Sequence, residues 1–314
     1  MAGSPLYRRT FLKISAFATG FARPVPPASA TAAAAEGLHL ATNEYPWSTF
    51  YGREGRKLEE HLDQALGEVA VAGIQGYEPL GRSAEGIGRL AALLKKHGLE
   101  MRSVYVNSTL HDPDQSTRSI EDVLAIAEKA KSAGTRIIVT NPSPIRWGGP
   151  ENKTDAQLKN QAAALERLAA ALAAKGLVLA YHNHDIELRN AAREFHHMLA
   201  GTDPKLVKLC LDCHWIYRGA GNSAVALFDV LKLYASRIVE LHLRQSANHV
   251  WTEVLGEGDI DYPAVAKHLL QAGVKPHLVI EQAVEKGSPH TLNGLEAHRR
   301  SREYAQRVFA GFGA

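Results

Sequence analysis

Four apolar runs in the second half of this chain end in residues that bind metals or move protons. LVLAYHNH (177–184) ends in His182 and His184, and VKLCLD (207–212) ends in Asp212. IVELHL (238–243) carries His242, and HLVIE (277–281) ends in Glu281. A hydrophobic strand gains no stability from a terminal carboxylate or imidazole, and burying one without a partner is costly. Repeated endings of this kind, separated by helical stretches, describe side chains drawn to one point. His, Asp and Glu are a ligand set for a divalent cation, and the same groups abstract and return protons. The pattern points to a metal-dependent enzyme.

The elements that must position these groups alternate along the chain. Strand signals fall near 37–42, 74–79, 100–107, 136–141, 177–184, 207–213, 238–244 and 277–282. Helical stretches follow them near 57–72, 83–98, 118–133, 154–175, 192–201, 223–235, 262–273 and 292–310. In the fourth helix Leu158, Leu165, Leu168 and Leu172 share one face, and Gly176 ends it. Strands alternating with helices of this length form βαβ units on a parallel sheet. Eight such units predict a (β/α)8 TIM barrel, an α/β fold in a single domain. A doubly wound open sheet is the competing architecture. It would place a Gly-rich phosphate loop after the first strand, where LATNEYPW stands instead. In a barrel, catalytic groups lie at the carboxyl ends of the strands. Glu78 closes strand two there, Asn107 strand three and Asn141 strand four.

Composition narrows the functional classes. The 314 residues are 45% hydrophobic and 22% charged, ordinary for a globular protein. The formal charge is +3, with Arg8, Arg9, Lys13 and Arg23 near the amino terminus. No basic patch is interleaved with aromatics, so nucleic-acid binding has no support. Residues 1–30 read as a twin-arginine export signal: RRTFLK, a short apolar stretch, then Ala28-Ser29-Ala30 as cleavage site. The expected mature protein, 31–314, is periplasmic, with no stable membrane association after cleavage. Cys210 and Cys213 form C-x-x-C on a strand signal, where residues three apart face opposite ways. Packing, rather than a disulfide or redox role, is the expectation.

Period-two alternation places His182 and His184 on one face of strand five, toward the barrel mouth. Leu241 and Leu243 pack outward, which turns His242 inward. Asp212 is either a cap for the following turn or a ligand, and the ligand is the reading adopted. Trp47, Tyr51 and Trp215 are expected to offer apolar faces for stacking on a ligand.

These motifs, YHNHDIEL (181–188), LDCHW (211–215), LHLRQ (241–245), LGEGDIDYPAV (255–265) and VIEQ (279–282), carry a resemblance. The chain resembles the sugar phosphate isomerase/epimerase superfamily of xylose isomerase-like barrels over about residues 37–312. The resemblance implies one divalent ion at the mouth, with Mn, Mg or Co favoured and Zn allowed. Asp212, His242 and Glu281 match its ligands directly. The epimerase glutamate of strand five is replaced by His182, so the fourth ligand is either Glu187, folding back, or a strand-five histidine, and Glu187 is the reading adopted. Arg244 stands where the family has Lys, keeping a positive charge for a substrate oxygen. Glu281, His182 and His184 are the expected acid/base groups, and Glu78, Asn107, Asn141, Trp215 and Arg244 the expected substrate contacts.

The implied activity is metal-assisted proton abstraction next to a carbonyl. It gives isomerisation or epimerisation of a free or glycosidic keto-sugar, with elimination by a lyase or dehydratase as the alternative. An endonuclease-IV-like nuclease lacks its basic face here, and a non-catalytic sugar-binding protein would not require the ligand set. The expected partner is a small sugar, and a homo-oligomer is left open.

Overall fold

The computed structural model describes residues 37–313, all within one compact unit, Ala35–Ala314. The export signal expected at residues 1–30 lies outside the described residues. Eight parallel strands form the barrel: β1 (Leu40–Asn43), β2 (Gly76–Glu78), β3 (Ser103–Ser108), β4 (Ile137–Pro142), β5 (Val178–His182), β6 (Val207–Asp212), β7 (Ile238–Leu243) and β8 (His277–Ile280). They pair in the order β2-β1-β8-β7-β6-β5-β4-β3. Isolated parallel bridges, Gly76 with Glu100 and Leu80 with Tyr105, bring the two free edges together. The barrel is nearly closed, with helices between its strands.

Local sequence explains the elements. The helix Asp155–Ala174 opens on a capping box, in which Thr154 and Gln157 satisfy each other's backbone N–H groups. It buries Leu158, Leu165, Leu168 and Leu172 against the barrel. Gly176 then takes φ +73°, a left-handed turn that costs glycine little. On the inner face, Val139, Ala180 and Cys210 form a small cluster of their own. By alternation they share that face with Asn141, His182 and Asp212 one step nearer the mouth. Cys210 and Cys213 are free and buried, as packing residues should be.

Two helices were not anticipated. Glu44–Arg53 follows β1 directly and carries Pro46 in its first turn, where the missing N–H would have no helical partner in any case. Cys213–Gly219 follows β6 and is only seven residues long, too short to show a period. Both begin at the mouth and reorient the residues expected there. A two-stranded hairpin, Ser246–Ala247 with Val250–Trp251, stands after β7. Among the described residues no helix is long and apolar enough to cross a membrane.

Candidate active site

Three strand ends deliver the expected ligands to one point. One ligand atom from each of Asp212, His242 and Glu281 lies within 4.8 Å of the others, and all three residues are buried. The register explains the convergence, because Asp212 of β6 pairs with His242 of β7, and β7 pairs with β8 just ahead of Glu281. Asp212 divides its oxygens. Oδ1 accepts the Trp215 N–H at 2.9 Å and caps the helix that follows, while Oδ2 is buried without a hydrogen bond. The cap and ligand readings of Asp212 therefore describe different atoms of one carboxylate. Glu281 Oε2 and His242 Nδ1 are likewise buried without a hydrogen bond and stand in ion-pair contact. Three converging ligand atoms with no hydrogen bond are what a divalent cation would satisfy.

The charge balance agrees. Glu78, Asp212, Glu240 and Glu281 are all buried around His242, against one buried guanidinium, that of Arg244. Arg244 Nη2 lies 2.6 Å from Glu281 Oε1 and 3.7 Å from Asp212 Oδ2. Burial alone would raise the Glu281 carboxyl, but His242 and Arg244 outweigh it and hold it well below the usual range. Asp212 is pushed up to about 6, by burial first. Burial disfavours a charged His242, yet Cys210, Glu78 and Glu281 raise it well above its ordinary value. Burial, then Glu78, raise Glu240 to about 8, so four carboxyl groups crowd a buried site beside the cationic Arg244 and His242, a crowding that a bound cation relieves.

Strand five behaves differently from expectation. β5 stops at His182, which is buried with its ring 4.7 Å from His242 and 4.8 Å from His184. Burial, then His242 and His184, lower its basicity strongly. His184 lies beyond the strand and lines the mouth cavity. Its Nδ1 is buried without a partner, and burial lowers its pKa to about 4. Glu187 does not fold back onto the ligand group. One oxygen accepts from Asn141 Nδ2 at 3.1 Å and the other from the His184 backbone N–H at 2.7 Å. Five residues beyond His182, it sits in the short turn Ile186–Leu188, which directs the carboxylate back beneath the β4 end. Among the described residues, the converging groups draw on β5 only through His182, with Cys210 and His242.

The cavity above these groups has a volume of about 550 Å³, in the range of small-molecule sites. Glu78, Asn107, His184, Trp215, Arg244 and Glu281 line it, as expected. Asn141 is buried behind it and bonds the His182 carbonyl at 3.1 Å. Trp47 and Tyr51 are corrections: the helix Glu44–Arg53 turns both inward. Trp47 stacks on His298, and Tyr51 donates to Glu68. Tyr45 of the same helix faces the cavity instead, with Tyr105 and Trp147. Tyr45, Trp215 and Trp251 surround the Arg244 guanidinium at 5.4, 4.9 and 4.4 Å. Glu240, also not anticipated, could have been found from the alternation Glu240, His242, Arg244 on one face of β7.

The comparisons agree with this architecture. The sequence profile of the xylose isomerase-like TIM barrel family matches residues 66–307. The chain is 24% identical over 276 residues to an inosose dehydratase of Clostridium botulinum, covering 78% of this chain and 89% of that protein. A sugar phosphate isomerase/epimerase of Parabacteroides distasonis superposes with a TM-score of 0.67 at 19% identity, over 92% of this chain and all of that one. A xylose isomerase-like TIM barrel protein of Mycobacterium smegmatis, solved in complex with magnesium, gives 0.64 at 14% identity over 88% and 98% of the two chains. With the barrel, its mouth and the profile match in agreement, the chain belongs to the xylose isomerase-like TIM barrel family.

Proposed function

We propose that this protein removes the proton next to the carbonyl of a keto-sugar or keto-polyol and completes the reaction by elimination. Asp212, His242 and Glu281 would hold a divalent ion, which when bound supplies Lewis-acid polarisation of the carbonyl. The observation that carries the outcome is His184. Just beyond β5 the cavity receives the His184 imidazole with an unpartnered Nδ1, and the position at which the epimerase pattern has its strand-five glutamate is a second imidazole, His182. A neutral imidazole that takes the α-proton becomes the acid that can return it to the leaving oxygen. The C–H and C–O bonds break, a C=C bond forms, and water or an alcohol departs with the proton. One group serves both steps, whereas epimerisation needs a second donor on the opposite face.

The substrate is unphosphorylated in this reading. Both arginines that line the cavity are already paired, Arg82 with Glu44 at 2.6 Å and Arg244 with Glu281 at 2.6 Å. The similarity to inosose dehydratases supports a dehydratase-type outcome. Incubation with keto-inositol, free ketoses and 3-keto-glycosides in deuterated water tests it. The expected product is unsaturated or its tautomer, with the leaving group released, and His184→Gln lowers its rate by about 10²-fold or more. A product that keeps every oxygen substituent and carries deuterium at an inverted centre would make the enzyme an epimerase.

A further inference from the structure

His242 has a second side. Its Nδ1 faces Glu281, while Nε2, likewise without a hydrogen bond, lies in ion-pair contact 3.1 Å from Glu78 Oε1 and 3.4 Å from Glu240 Oε1. Both carboxylates are buried, and each is held from behind. Asn43 Nδ2 donates to Glu78 Oε1 at 3.3 Å, and Cys210 Sγ to Glu240 Oε1 at 3.5 Å. Their other oxygens have no hydrogen-bond partner. Two buried carboxyl groups are an expensive way to fill a barrel, since apolar residues of similar volume are commonly as stable or more so. Fold stability does not account for them. A metal-ligating histidine, in contrast, is oriented and made more basic by a carboxylate on its other nitrogen.

We propose that Glu78 and Glu240 are positioning residues that clamp His242 through Nε2, so that Nδ1 faces the ion position between Asp212 and Glu281. Glu240 reaches the ring from two residues earlier on the same face of β7. Glu78 comes from β2, across the barrel. The clamp rests on the metal reading given above, but its geometry belongs to the protein alone.

Two measurements on the mature protein test it. In Mn²⁺ titrations, Glu78→Leu/Glu240→Leu should weaken the dissociation constant about 10–100-fold. Its metal-free melting temperature should be unchanged or higher. Glu240→Gln, which keeps an oxygen acceptor, should stay close to wild type. Unchanged affinity in the double variant overturns the clamp, and so does an affinity loss accompanied by a fall in metal-free melting temperature. In the metal-free wild type, NMR should show a slowly exchanging proton on His242 Nε2 that disappears in the double variant. Its absence from the wild type overturns the clamp. Its presence in a wild type that binds no Mn²⁺ would sink the metal reading and leave the clamp standing.

Discussion

Trp47 and His298 stack with ring centroids 4.4 Å apart and planes 27° from parallel. The contact joins the helix after β1 to the helix Gly294–Val308, which comes close enough that a Cβ on Gly294 would touch Trp47 at 3.5 Å. Trp47 is therefore part of the core, while Trp215 lines the cavity. Trp47→Ala should cost about 3–5 kcal/mol in chemical denaturation and leave KM near wild type in folded protein. Trp215→Ala should do the reverse, raising KM with little loss of stability.

The same stack predicts acid sensitivity. His298 is buried and Nδ1 lies 2.7 Å from the Gly294 carbonyl. Burial lowers its pKa from 6.5 to about 4, against the opposing effect of that bond. Between those values the unfolded chain binds the proton and the native chain does not, so this contribution is lost as pH falls from 6.5 toward about 4. His298→Gln should flatten melting temperature against pH over that window. An unaltered slope would assign the acid sensitivity elsewhere.

Glu187 predicts the opposite sign. Burial, then Glu194, raise its carboxyl from 4.5 to about 7. The native state holds the proton where the unfolded chain has lost it, so this contribution is present at low pH and disappears as pH rises through that window. The melting temperature of Glu187→Gln relative to wild type should therefore increase as pH rises from 4.5 to 7. Its metal content should match wild type, because the carboxylate is engaged by Asn141 and the His184 N–H. Loss of the ion in this variant would make Glu187 a ligand after all.

We propose that RRTFLK directs folded export, so replacing Arg8 and Arg9 with Lys should retain the protein in the cytoplasm. Fractionation that finds the double variant still in the periplasm would reject the twin-arginine route.

What could be read from the chain depended on whether one local signal was enough. The barrel was legible because strands such as Val178–His182 and Ile238–Leu243 are short, largely apolar runs and helices such as Asp155–Ala174 carry both period and caps. Asp212, His242 and Glu281 were legible because each interrupts an apolar pattern at a strand end. Trp47 and Tyr51 were misplaced because Pro46 conceals a helix that tolerates it in the first turn, and the helix decides which aromatic faces the mouth. Glu187 was misplaced because its path depends on the turn Ile186–Leu188 and on Asn141 from a different strand. Glu240 was visible in the alternation of its own strand, but its role appears only when Glu78 arrives from across the barrel.

The central claim is that Asp212, His242 and Glu281 hold one divalent ion. Elemental analysis of protein reconstituted with Mn²⁺ and then dialysed measures this directly, in wild type and in Asp212→Ala. The account predicts about one ion per chain in wild type and a far smaller amount in the variant, with activity lost in parallel. A wild type that retains no ion, or a variant that retains as much as wild type, would contradict it.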